Sequence, residues 1–141
     1  MTIEDLADTF DLLGDWEERY SYLIELGRKL PPLTEAERSE ETKVRGCMSQ
    51  VWLVGGQKAD GAMHFNGDSD STLVKGLIAL LMVMVNDRSP EQILSTDIAA
   101  TFKQLGLESH ITVNRRNGFF SMVERIRALS TAAAANEALT R

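Results

Sequence analysis

Cys47 is the residue in this chain best suited to nucleophilic chemistry, and it stands in the run Arg45-Gly46-Cys47-Met48-Ser49-Gln50-Val51-Trp52. It is the only cysteine among 141 residues, so it cannot close an internal disulfide or join a multi-thiolate metal site. A glycine precedes it and the apolar run Val51 to Val54 follows, which predicts a thiol at the tip of a loop at the mouth of a strand. A sulfur held there is placed to receive an atom and pass it on. A free thiol near pKa ~8.5 is only a few per cent ionised at neutral pH, so Lys43 and Arg45 just upstream are candidates to favour the thiolate. Gly46 removes side-chain bulk and lets the loop change its dihedrals, while Ser49 and Gln50 complete the loop. The competing reading of the same residues is an inert cysteine packed in the core.

The other residues with chemical potential are weaker. His64 and His110 have no partners at metal-ligand spacing and read as non-ligands. Trp52 reads as a core aromatic, and Asp68, Ser69 and Asp70 as helix caps or functional groups. Arg115 and Arg116 fall in the first turn of the last helix, where the macrodipole disfavours cations. Either both are exposed, or one pairs with an aspartate or faces the sulfur loop.

The elements that must position these residues follow from periodicity. Ile3, Leu6, Ala7, Phe10 and Leu13 make a first helix that Gly14 ends. Asp15 caps the next, with Glu18 at its third position and Trp16, Tyr20, Leu23, Ile24 and Leu30 as its buried stripe. Gly27 weakens its last turn and Pro31-Pro32 stops it. The polar stretch from Thr34 to Thr42 is a solvated connection, with Thr34 and Glu37 suited to a capping box.

Three strands are then expected: a brief one at Lys43 to Arg45, a strong one at Gln50 to Gly56 and a third at Ala62 to Asn66. The last two form a hairpin through Gly55-Gly56 and Asp60-Gly61. Met63 and Phe65 face one side of the third strand, His64 and Asn66 the other. Gly67 to Asp70 opens a central helix from about Ser71 to Val85, apolar nearly all round. Ser89, Pro90 and Gln92 start a short helix. Asp97 caps another, carrying Ile98, Phe102 and Leu105 and closed by Gly106. Asn114 caps the last, whose stripe is Phe119 or Phe120, Val123, Ile126 and Leu129. The fold class is α+β, a small three-stranded antiparallel sheet packed against several helices.

Length bounds the chain to a single domain over residues 1–141 with one sizeable core. The net charge of −6 argues against nucleic acid as a partner, because phosphate contact needs a basic surface. The most apolar run, Leu77 to Val85, is far shorter than the roughly 20 residues of a membrane span. The N-terminal segment MTIEDLADTFDLLGDW is acidic and lacks the basic start of a signal peptide. With one unpaired cysteine, the expectation is a cytoplasmic protein in a reducing compartment, with no membrane and no nucleic-acid partner.

The block KVRGCMSQVWLV, followed by FNGDSDSTLVKGLIALL and SHITVNRRNG and preceded by DWEERYSYLIELGRKLP, resembles the SufE family of cysteine-desulfurase sulfur acceptors in order and spacing. The likeness runs from about Asp15 to Leu129. Its departures are Met48, where many relatives carry a polar residue, and the Ala-rich tail. The resemblance implies a SufE/IscU-like fold and a persulfide carrier rather than an enzyme acting alone. In that reading Cys47 accepts sulfur from the persulfide of a SufS-like cysteine desulfurase, activates that enzyme, and relays the sulfur to an iron–sulfur scaffold.

The pyridoxal phosphate belongs to the desulfurase, so no cofactor and no metal are expected on this chain, which is a monomer or homodimer. The resemblance also favours Arg115 over Arg116 as a contact of the sulfur loop or partner, beside Lys43, Arg45 and Asp70. Alternative readings are a single-cysteine, peroxidase-like thiol enzyme and a binding module with an inert buried cysteine. An iron–sulfur scaffold is disfavoured, since clusters normally take several cysteine ligands. The sulfur itself is expected to lie largely buried, released when the loop swings outward.

Overall fold

The computed structural model describes residues 1–140, with side chains through residue 137. Two helices come first, α1 (Ile3–Leu12) and α2 (Trp16–Arg28). A hairpin follows, β1 (Val51–Gln57) and β2 (Met63–Ser69), and then the central helix α3 (Thr72–Val85). The chain closes with α4 (Pro90–Ser95), α5 (Ile98–Gln104), a 3-10 turn at Leu107–Ser109 and the long α6 (Val113–Thr140).

The class is α+β, but the sheet has two antiparallel strands among the described residues, not three. The expected strand at Lys43 shrinks to a single bridge with Trp52. Val44 N–H donates to Val51 O at 2.8 Å and Leu53 N–H to Thr42 O at 2.9 Å. Pairing then stops because Gly46 takes a left-handed φ of 87° and turns the chain away. At the opposite edge the Asn86 side chain stands in for a strand. Its Oδ1 accepts from Phe65 N–H at 2.7 Å and its Nδ2 donates to Phe65 O at 3.0 Å.

The hairpin also differs in detail. Gly55 and Gly56 lie within β1, paired with Phe65 and His64, and the reversal occurs between Lys58 and Ala62. β2 runs on through Gly67 to Ser69, residues expected to open the helix, because Val51, Trp52 and Leu53 supply partners for them. The cap of α3 is therefore Ser71, whose hydroxyl accepts from Val74 N–H. Trp52 lies on the outer, half-exposed face of β1 and not in the core, since the alternation puts Val51 and Leu53 inward.

The core is built around α3, which buries Val74, Gly76 through Met82, Met84 and Val85. α2 crosses it at close range. A Cβ on Gly27 would meet Gly76 N at 2.6 Å, and one on Gly76 would meet Leu23 O at 2.5 Å. Gly27, expected only to weaken a helix end, thus sits at the helix contact. Leu23 and Leu26 are the buried leucines of that face, while Trp16, Tyr20, Ile24 and Leu30 are half-buried. Helix starts at Asp15, Ser89 and Asp97 carry the expected side-chain caps. α6 begins at Val113, and the hydroxyl of Thr112, not the Asn114 side chain, accepts from Arg115 N–H at 3.2 Å. Phe119, Met122, Val123, Ile126 and Ala133 form its buried face. No described helix is long and apolar enough to cross a membrane.

Candidate functional site

The sulfur loop is fixed at both ends, and between them it is held by the contact of Cys47 with α6. At its start Gly46 has no room for a side chain, because a Cβ there would lie 2.8 Å from Ser121 Oγ of α6, on top of the left-handed backbone. At its end Gln50 N–H donates to Asp70 Oδ1 at 3.1 Å, and Asp70 N–H returns a bond to Gln50 O at 3.3 Å. Asp70 is therefore an anchor of the loop.

Between these points Cys47 turns inward onto α6, half-buried, and its thiol donates to Gly118 O across 3.7 Å. The expectation of a largely buried sulfur is met in part, for the residue keeps some exposure. The approach depends on the absence of a side chain on the helix, since a Cβ on Gly118 would sit 3.3 Å from Cys47 Sγ and 3.7 Å from its Cβ. Burial pushes the Cys47 thiol above its ordinary pKa, because the charged form loses solvation there.

Beside the sulfur lies a cavity of about 300 Å³. Its apolar lining comes from Val51, Val74, Leu77, Phe119 and Met122, and its polar lining from Ser49, Thr112, Asn114 and Arg115. Met48 also borders it and is 81% exposed, and Val113, between Thr112 and Asn114 in sequence, is 58% exposed. Met48 thus presents a large apolar side chain to solvent beside the cavity.

Of the residues singled out from sequence, Cys47, Ser49 and Arg115 share this cavity. Gly46 and Gln50 bound the loop. Lys43 and Arg45 are not among the lining residues. Arg45 pairs with Glu40 at 2.9 Å in solvent, and Lys43 is held by its backbone bridge to Trp52. Val44 between them is buried, which leaves Lys43 half-exposed and Arg45 exposed. Arg116 donates to Glu108 O at 3.1 Å, away from the loop. Asp68 is engaged by Arg38 at 3.2 Å and Lys75 at 3.7 Å, and Ser69 Oγ accepts from Ser71 N–H.

Sequence reasoning missed Gly118, Thr112, Phe119 and Met122 as parts of the site. Gly118 had a signal: an interior helical glycine costs about 1 kcal/mol against alanine and so points to a close approach. The histidines stand elsewhere. His110 stacks on Trp16 with ring centroids 4.0 Å apart, and His64 Nδ1 lies 3.7 Å from Asp87. Among the described residues no group of three or more His, Cys, Asp or Glu side chains is placed to hold a metal ion.

The sequence matches a family model, SufE, the Fe-S metabolism associated domain, over residues 4–130. The fold is similar to the solution structure of a hypothetical protein from Thermus thermophilus, with a TM-score of 0.77 at 22% identity, covering 96% of this chain and 99% of that one. That likeness shows the fold.

Proposed function

The chain belongs to the SufE family, associated with Fe-S metabolism, and on that premise we propose that Cys47 accepts sulfur from the persulfide of a cysteine desulfurase and relays it to iron–sulfur cluster assembly. The Cys47 thiolate attacks the outer sulfur of the donor persulfide. A new S–S bond forms on Cys47 as the donor's S–S bond breaks, and the electron pair leaves on the donor cysteine. The chain is a carrier and activator, with the pyridoxal phosphate on the desulfurase.

The observation that supports this reading best is the setting of the sole cysteine. It lies on a short loop hinged at Gly46 and anchored at Gln50, with its sulfur against a cavity that has room for more than one added atom. In the resting loop the raised pKa keeps the thiol protonated and slow to attack. Docking of the desulfurase supplies the opening through contacts made only in the open state, and the exposed Met48 beside the cavity offers apolar surface for them. The reducing compartment this needs is the cytoplasm. A peroxidase-like role fits less well, because such a thiolate wants hydrogen-bond donors while Cys47 Sγ faces a carbonyl acceptor.

The test is mass spectrometry after incubation with a cysteine desulfurase and free cysteine. One added sulfur is expected on the peptide that holds Cys47, and Cys47→Ser should lose both the adduct and the stimulation of the desulfurase. A Cys47→Ser protein that still stimulates turnover fully would sink the carrier mechanism.

A further inference from the structure

We propose that the cavity beside Cys47 is a subsite for a small thiol bearing a carboxylate, which Arg115 holds while the thiol takes sulfur from Cys47. The inference rests on the carrier reading for its transfer step and on the cavity for its recognition step. A persulfide adds one atom, whereas the cavity measures about 300 Å³, far more than the ~30 Å³ share of a single water and within the range of small-molecule sites. Its character is that of such a site, an apolar wall that includes Val51 and Phe119 with a few polar groups among the lining.

The cation among those polar groups is Arg115. Its backbone N–H is taken by Thr112, but its guanidinium has no hydrogen-bond or ion-pair partner among the described residues. An arginine at the first turn of a helix works against the macrodipole, so its place there is unexplained by the helix itself. A planar fork of donors beside a nucleophilic sulfur matches a carboxylate on a small sulfur compound. The chain as a whole carries a net charge of −6 and repels small anions, so selectivity for an anionic thiol must come from this local cation.

In the transfer, the thiolate of the small molecule attacks the outer sulfur of the Cys47 persulfide. Its new S–S bond forms as the bond to Cys47 Sγ breaks, and the electron pair stays on Sγ. The incoming thiol has given its proton to solvent, Sγ takes one back, and the small molecule leaves as a persulfide. No external oxidant or reductant enters.

Recognition is tested without any desulfurase, by thiol–disulfide exchange of Cys47 with dithiodipropionate and with neutral hydroxyethyl disulfide. The dianionic reagent should show saturation. Arg115→Gln should lower its apparent second-order rate constant of modification about tenfold, the loss expected for one charged contact, while leaving the neutral reagent unchanged. Arg115→Lys, which keeps the charge but not the fork, should recover part of the loss. Unchanged reactivity toward the dianion in Arg115→Gln, an equal loss with both reagents, or an unsaturable rate overturns the subsite.

Transfer is tested on protein already carrying the persulfide, discharged with mercaptopropionate or mercaptoethanol. A preference for the carboxylate that disappears in Arg115→Gln is expected, and indifference between the two thiols overturns the acceptor role. Failure of Cys47 to gain sulfur at all would remove the carrier reading and the transfer step, with the exchange result still deciding the subsite.

Discussion

At the level of single residues the decisive contact is the one between Cys47 and Gly118. Only the protonated thiol donates to the Gly118 carbonyl; a thiolate would face that oxygen's lone pairs in a partly dry site. Because the folded pKa is raised, the native state holds the proton more tightly than the unfolded chain. The stabilisation of the closed loop is therefore complete below the ordinary thiol range and fades as pH rises through the raised value. Alkylation of Cys47 by iodoacetamide should accordingly rise with a midpoint above that of a small free thiol; a midpoint at or below it refutes the closed, protonated resting state. Gly118→Ala separates packing from stability. The new methyl pushes against Sγ at 3.3 Å, so alkylation at fixed pH should quicken, while helix propensity keeps stability the same or raises it by up to about 1 kcal/mol. Unchanged alkylation in that variant would mean the sulfur does not rest on α6.

At the level of elements, the crossing of α2 over α3 fixes where the hairpin and the sulfur loop sit, since α3 lies beneath β2 and contributes Val74 and Leu77 to the cavity. Gly76→Ala should lower stability by ~1–3 kcal/mol in urea unfolding, because the atoms its Cβ would meet are backbone and cannot swing aside. The same substitution at an open helical site would gain from alanine's propensity, so a neutral or stabilising result would contradict this packing.

Across the whole molecule stability is graded from the centre outward. α3 is buried on nearly every face, whereas residues 45–49 are held by a few bonds at their two ends. Amides of α3 should exchange with solvent only through global unfolding, and those of residues 45–49 should exchange fastest among the residues around the cavity. Docking of a desulfurase should alter exchange at residues 45–49 and leave α3 unchanged. Slow exchange of the loop in the free protein would show that it is not poised to open.

Local rules made much of this chain legible. The caps at Asp15, Ser89 and Asp97 depend on one side chain and its next few amides, and they stand where the residue types put them. The unbroken apolar run of α3 likewise marked a central helix, and the lone cysteine after a glycine marked the loop. Features that depend on contacts distant in sequence escaped. Pairing with Val51, Trp52 and Leu53 drew Gly67 to Ser69 into β2 and left the cap to Ser71. The Asn86 side chain closed a sheet edge that no periodicity announces. Gly118 came under the sulfur, and Arg115 onto its cavity, only because α6 returns 71 residues later to pack against the Cys47 loop. The sequence by itself singled out the candidate residue for the chemistry, because reactivity belongs to a side chain. The tertiary structure alone decided which groups surround it, because those neighbours are brought together by packing rather than by the order of the chain.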